Sequence, residues 1–212
     1  GIWAWAYAQL PQSDAYPLHW NAQGVADSFG TRKDALLAVG VPFGIGAALA
    51  VLLASLPVID PRQKHIDQSR PAYLAIWMGT MTFLAALQGL LVWIMYTTVE
   101  QGLQAEPAQP MRFIMLGVCL LFVLIGNFLP KTRSSYMFGI RTPWTLASET
   151  VWQKTHRLAG PLFMLAGLAG AAAAFLASGA WITIAPVALL LGMTAVTVAY
   201  SYLAYRREQQ AG

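Results

Sequence analysis

The sequence predicts an all-α fold: a polytopic transmembrane bundle of about six spans, the first one truncated, with an interfacial cytoplasmic helix. Three observations carry this. Apolar residues make up 57% of the 212-residue chain and charged residues 10%, with a mean hydropathy of +0.53, whereas a soluble domain carries roughly 25% charged residues. Long uncharged apolar runs recur along the chain, and lipid admits only helices and closed barrels at that depth. The period-2 alternation of a barrel strand is absent.

The spans follow in order. Gly1 to Leu10 is apolar and aromatic but covers only half a span, so it reads as the outer half of a first helix. Ala35 to Ile59 holds no charge. Ala72 to Val99 is 28 residues long, with Gln88 its one strongly polar side chain near the middle. Phe113 to Leu129 is 17 residues, Leu158 to Ala177 is rich in Ala, Gly and Leu, and Trp181 to Tyr205 is the last. Small residues four apart, at Gly40 and Gly44 and again at Ala166, Gly170 and Ala174, let helix backbones approach closely.

Loop charge sets the orientation, and only Lys and Arg count for it. Segments 60–71, 130–157 and the tail from Arg206 hold ten basic residues, while segments 10–34 and 100–112 hold three. Both termini are therefore expected on the cytoplasmic side of a bacterial inner membrane. Trp3, Trp5, Tyr7, Tyr16 and Trp20 gather at the outer boundary and Tyr200, Tyr202 and Tyr205 at the inner one, as headgroup-depth belts do. The boundaries divide the chain into an amino-terminal span, outer loop and second span (1–59) and a helical bundle (60–212) containing an inner loop over 126–161.

Several function classes are excluded. The pI of about 9.4 comes from basic residues between apolar runs, not from a basic patch interleaved with aromatics, so no nucleic-acid partner is expected. One cysteine, Cys119, permits no disulfide within the chain. His19, His65 and His156 lie in three separate segments without metal-ligand spacing, so no metal and no cofactor are expected. No nucleophile–base pair or phosphate-binding loop is visible, and no catalytic residue is assigned.

Two polar segments remain. The outer one, Leu10 to Asp34, combines two prolines, an Asn21–Gly24 turn signal, His19 and Asp27. One reading is a titrating or ligand-contacting pair of His19 and Asp27, with Asn21 beside them. The other is a compact interfacial loop anchored by Trp20 and Phe29. The inner segment, Gly126 to Pro161, places Asn127 three residues before Pro130, where an amide is costly in lipid unless it faces the bundle. Thr142–Pro143 is an N-cap and first-turn signal. From Pro143 to Leu158 the pattern fits an amphipathic helix with Trp144, Val151, Trp152 and Leu158 toward the interface. This helix serves either as a basic segment lying on lipid or as one wall of a pocket. In the second case Arg133, Arg141 and Arg157 converge on an anion, a headgroup or a partner, with Asn127, Glu149 and His156 close by.

At these residues the sequence resembles a known family. Gly126–Asn127, Leu129–Pro130, Arg133, Gly139 through Leu146, Ser148, Val151–Trp152 and Thr155–His156–Arg157 are similar to the signature of the SdpI family of bacterial immunity membrane proteins. Leu18 through Asn21, Gly24, Asp27 and Lys33 are similar to the uncharacterised amino-terminal domain that accompanies it. The resemblance implies a multi-pass inner-membrane protein that protects against, or responds to, a membrane-active peptide toxin outside, in some members by capturing a cytoplasmic regulator. It brings no catalytic residue. The alternatives are a small transporter, a lipid-headgroup-binding protein or an accessory subunit partnered with a larger membrane complex. Against transport, none of Asp, Glu, Lys or Arg lies inside a span.

Overall fold

The computed structural model describes residues 13–21, 26–101 and 108–211. An antiparallel hairpin, β1 (Tyr16–Trp20) and β2 (Ala26–Gly30), leads into α1 (Arg32–Ile59) and the short α2 (Gln63–Gln68). Then come α3 (Arg70–Gln101), α4 (Ala108–Phe128), a 3-10 turn (Leu129–Lys131), the short α5 (Pro143–Ala147), α6 (Glu149–Leu176) and α7 (Trp181–Ala211). Among the described residues five helices are long and apolar enough to cross a membrane. They overlap the five later spans read from the sequence and extend past them by up to nine residues, because charged end residues such as Arg32 and Arg70 continue the helix into the headgroup zone. The half-span at Gly1 to Leu10 lies outside the described residues.

Alternating helix directions sort the loops. The hairpin, the start of α4 and the end of α6 share one end of the bundle. Residues 60–69, 129–148 and the end of α7 share the other, called here the basic end. Helix α6 is the centre, with α4 and α7 packed along it. Glycines make that approach possible: a Cβ on Gly126 would stand 2.6 Å from the Gly160 carbonyl oxygen, and one on Gly167 would stand 2.6 Å from that of Cys119. The stripe Ala166, Gly170 and Ala174 is buried in this packing. Gly44 meets nothing within 4 Å, so no such close approach is made at that position.

Helices α1 and α3 form a looser pair, tied in mid-span by Gln88, whose Nε2 donates to the Val39 carbonyl at 2.8 Å. The hairpin seats on this pair through Tyr16, which is fully buried with Ala35, Val39 and Met95. Phe29, expected as an anchor, is 43% exposed instead. Asp27, Ser28 and Phe29 are exposed in a row on β2, and Tyr16 takes the anchoring role. At the same end Arg112 on α4 donates to the carbonyls of Ala174 (2.7 Å), Phe175 (2.6 Å) and Ala177 (2.9 Å), a cationic cap on the C-terminus of α6.

The amphipathic helix expected over Pro143–Leu158 is broken at Ser148. Thr142 caps α5 by accepting from the Thr145 N–H, with Pro143 in its first turn, and Ser148 then caps α6 by accepting from the Val151 N–H. Val151 and Trp152 are consequently in the first turns of the central helix and fully buried in protein rather than in the interface. Trp144 does reach the edge, where its ring meets Tyr202 at 5.1 Å.

Candidate functional site

The polar chemistry of the described residues gathers at the basic end, where the chain from Leu129 to Ser148 crosses α6 and is clamped by the 60–69 loop. Each strand of the clamp follows from local sequence. Pro61 stops α1, leaving Asp60 as its C-cap and fully buried. A buried carboxylate is tolerated when donors surround it. Asp60 Oδ2 accepts from the Ser135 hydroxyl at 2.5 Å and the Met137 N–H at 3.0 Å, while Oδ1 accepts from the Arg62 N–H at 2.7 Å. Burial alone would push its pKa up, but these hydrogen bonds outweigh it and hold the carboxyl below the usual aspartate value.

Arg62 completes the clamp. Its guanidinium donates to the Ser134 hydroxyl and to the Leu146 carbonyl (3.2 Å), and it lies 4.7 Å over the Tyr136 ring. His65 Nδ1 donates to the Ser134 carbonyl at 2.7 Å, and the Arg133 N–H donates to the Ser69 hydroxyl at 2.8 Å. The Ser134–Ser135–Tyr136 run therefore supplies one partner after another to a loop some seventy residues earlier.

Beneath the crossing lies His156. Its Nδ1 donates to the Trp152 carbonyl (2.8 Å) and its Nε2 accepts from the Ile140 N–H (3.0 Å), which fixes a neutral ring. The ring stacks on Trp152 at 4.0 Å, and the Trp152 indole N–H donates to the Thr132 carbonyl at 3.1 Å. Gly139 passes directly above with φ +104; a Cβ there would stand 2.7 Å from Trp152 and 2.8 Å from His156 Nε2. Both the backbone angle and the space demand glycine.

The residues singled out in the sequence separate into three groups. Arg133, Glu149 and Arg157 line one cavity of about 390 Å³, together with Thr150, Gln153 and Lys154. Within it Glu149 is 3.9 Å from Arg133 and 4.0 Å from His65. Arg141, His156 and Asn127 are elsewhere. Arg141 is exposed and donates to the Tyr136 carbonyl at 2.7 Å, because the turn at Gly139 folds it back over its own loop. His156 is one residue, and so about 100°, round the helix from Arg157, and that rotation buries it. Asn127 is exposed on α4, because its neighbour Gly126 is the residue that meets Gly160. At the far end of the molecule His19 Nδ1 stands 2.6 Å from Asp27 Oδ1, both side chains well exposed, with Asn21 half-buried next to the strand.

Sequence reasoning passed over Asp60, Arg62, His65 and Ser69, and Lys154 as a lining residue. The available signal was a carboxylate directly before a helix-stopping proline, on the same side as a run of three hydroxyl side chains. A larger apolar cavity of about 680 Å³ lies between α1 and α3. Its strongest hydrogen-bonding group, Gln88, is already bonded to Val39, so polar chemistry does not converge there.

Residues 131–201 match the SdpI/YfhL protein family. This part of the chain is similar to that family. The chain is also 34% identical over 94 residues to the immunity protein SdpI of Bacillus subtilis (strain 168), a match covering 44% of this chain and 45% of that protein. The chain thus aligns with less than half the length of that relative. No solved structure matches it. The SdpI region holds Arg133, Arg141, Glu149, His156 and Arg157, and it holds the hydroxyl run that the clamp grips. Asp60, Arg62, Asn127 and the hairpin residues lie before it.

Proposed function

We propose that the chain is a bacterial inner-membrane immunity or sensor protein, which protects against or responds to a membrane-active peptide toxin. The observation that carries this reading is that the SdpI-family match falls on the loop from Lys131 to Ser148, which the clamp grips, and on α6 and most of α7. The name of the similar protein supplies the immunity role. In this reading the hairpin end faces outward and meets the toxin, while the basic end is cytoplasmic. There it carries ten of the chain's thirteen Lys and Arg residues, as the positive-inside rule requires. A cytoplasmic regulator or a larger membrane complex would dock on the same basic end. Transport is disfavoured because the spans carry no Asp, Glu, Lys or Arg to mark a substrate path.

The test is expression of the full chain in a bacterium that a secreted membrane-active peptide kills. Survival at peptide doses lethal to the empty-vector strain supports the reading. Unchanged killing, with the protein present in the membrane at normal abundance, contradicts it.

A further inference from the structure

We propose that the outward face of α6 binds an anionic phospholipid of the leaflet at the basic end. Arg133, Lys154 and Arg157 hold the phosphodiester, and an acyl chain lies along Pro161, Leu165 and Leu168. Two independent features point there. The first is the charge arrangement of the cavity. Its one carboxylate, Glu149, is drawn toward Arg133 and His65 at its edge. Lys154 and Arg157 have no hydrogen-bond or ion-pair partner among the described residues. Three cations facing one carboxylate leave a site short of negative charge, and a phosphodiester supplies it with geometry that arginine matches in two hydrogen bonds.

The second feature is the continuity of the face below. Positions 154, 157, 161, 165 and 168 follow one another by three or four residues, so they share one stripe of the helix, and all five are exposed. The stripe changes from two cations to apolar residues at Pro161, with Leu165 62% and Leu168 55% exposed. A bound soluble anion has no use for the lower half. A phospholipid has the same division, charged at the headgroup and apolar below. Arg157 is the last charged residue before the apolar run 158–176, which puts the cations at headgroup depth. The inference does not rest on the immunity reading, and its test does not read survival.

The experiment uses the full chain purified in a neutral detergent and scores retained lipid by native mass spectrometry. The probes are phosphatidylglycerol, phosphatidylcholine with the same acyl chains, and inorganic phosphate as competitor. Phosphatidylglycerol should be retained at one molecule per chain at concentrations where phosphatidylcholine is not. The double variant Lys154→Gln/Arg157→Gln and the single variant Arg133→Gln should each weaken retention by about fivefold or more, given the worth of one interfacial charge. Leu165→Asn should weaken it as well, and Arg207→Gln, an exposed charge at the same end but outside the cavity, should leave it unchanged. Equal retention in all variants, or equal retention of the two lipids, would overturn the proposal. Displacement by millimolar phosphate with no effect of Leu165→Asn would also overturn it, leaving a site for a free phosphate-bearing solute.

Discussion

Asp60 shows how much of the basic end depends on one side chain. It is fully buried, and three donors from two segments satisfy it. Asp60→Ala removes their common acceptor, and unsatisfied buried donors cost about 1–3 kcal/mol each. We expect a marked fall in the thermal unfolding midpoint in detergent, with Asp60→Asn intermediate because the amide oxygen still accepts. The carboxyl's lowered pKa also sets a pH dependence. The stability it contributes is fully present above the unfolded aspartate value of about 3.9 and is lost as pH falls through the lower folded value. An acid titration of the unfolding midpoint should therefore show a loss below about pH 4 that is smaller in Asp60→Asn. Gly139 makes a different demand. Gly139→Ala adds a Cβ against Trp152 and His156 and strains a positive φ, and either term costs about 1–3 kcal/mol. Ser134→Ala instead removes one hydroxyl from Arg62, which keeps the Leu146 carbonyl and the Tyr136 ring, so its effect on the midpoint should be the smaller.

At the scale of elements, Arg112 is the clearest device. One guanidinium on α4 closes the last turn of α6 with three hydrogen bonds. Arg112→Gln should lower the unfolding midpoint by an amount corresponding to about 1–2 kcal/mol. Amide exchange should rise around Ala173–Ala177 and stay unchanged at Trp152, which checks that the loss is local. The sequence made the long helices plain, because an uncharged apolar run of span length has few other uses. It also exposed the cap at Thr142–Pro143 and the pairing of His19 with Asp27. It hid the break at Ser148, since the apolar positions Val151, Trp152 and Leu158 fit an interfacial helix as well as the first turns of a buried one. It hid the hairpin too: strands of five residues, with pairing shifted around His19, leave little alternation to read. The convergence of three arginines was legible only in part. Arg133 and Arg157 share a cavity, but the turn around Gly139, legible as a turn, does not reveal in the sequence that it folds Arg141 back onto the Tyr136 carbonyl.

The whole molecule joins two ends of unlike character through a bundle without mid-depth charge. The hairpin rests on α1 and α3, the pair held loosely by Gln88. The clamp rests on α4, α6 and α7, the tightly packed part, and the SdpI-family match covers α6 and most of α7. Orientation has a direct check. With Cys119 replaced by Ala, single cysteines at Asp14 and Gln210 should label from outside and only after permeabilisation, respectively; the reverse pattern would invert the account. The measurement that bears most directly on the central claim is a survival curve against a lethal membrane-active peptide. It compares the intact chain with Arg62→Ala at matched membrane abundance, since Arg62 binds the 60–69 loop to the family-matched segment while lying outside it. The account expects the intact chain to protect and Arg62→Ala to shift the curve well toward that of unprotected cells. Full protection by Arg62→Ala, or none by the intact chain, would contradict it.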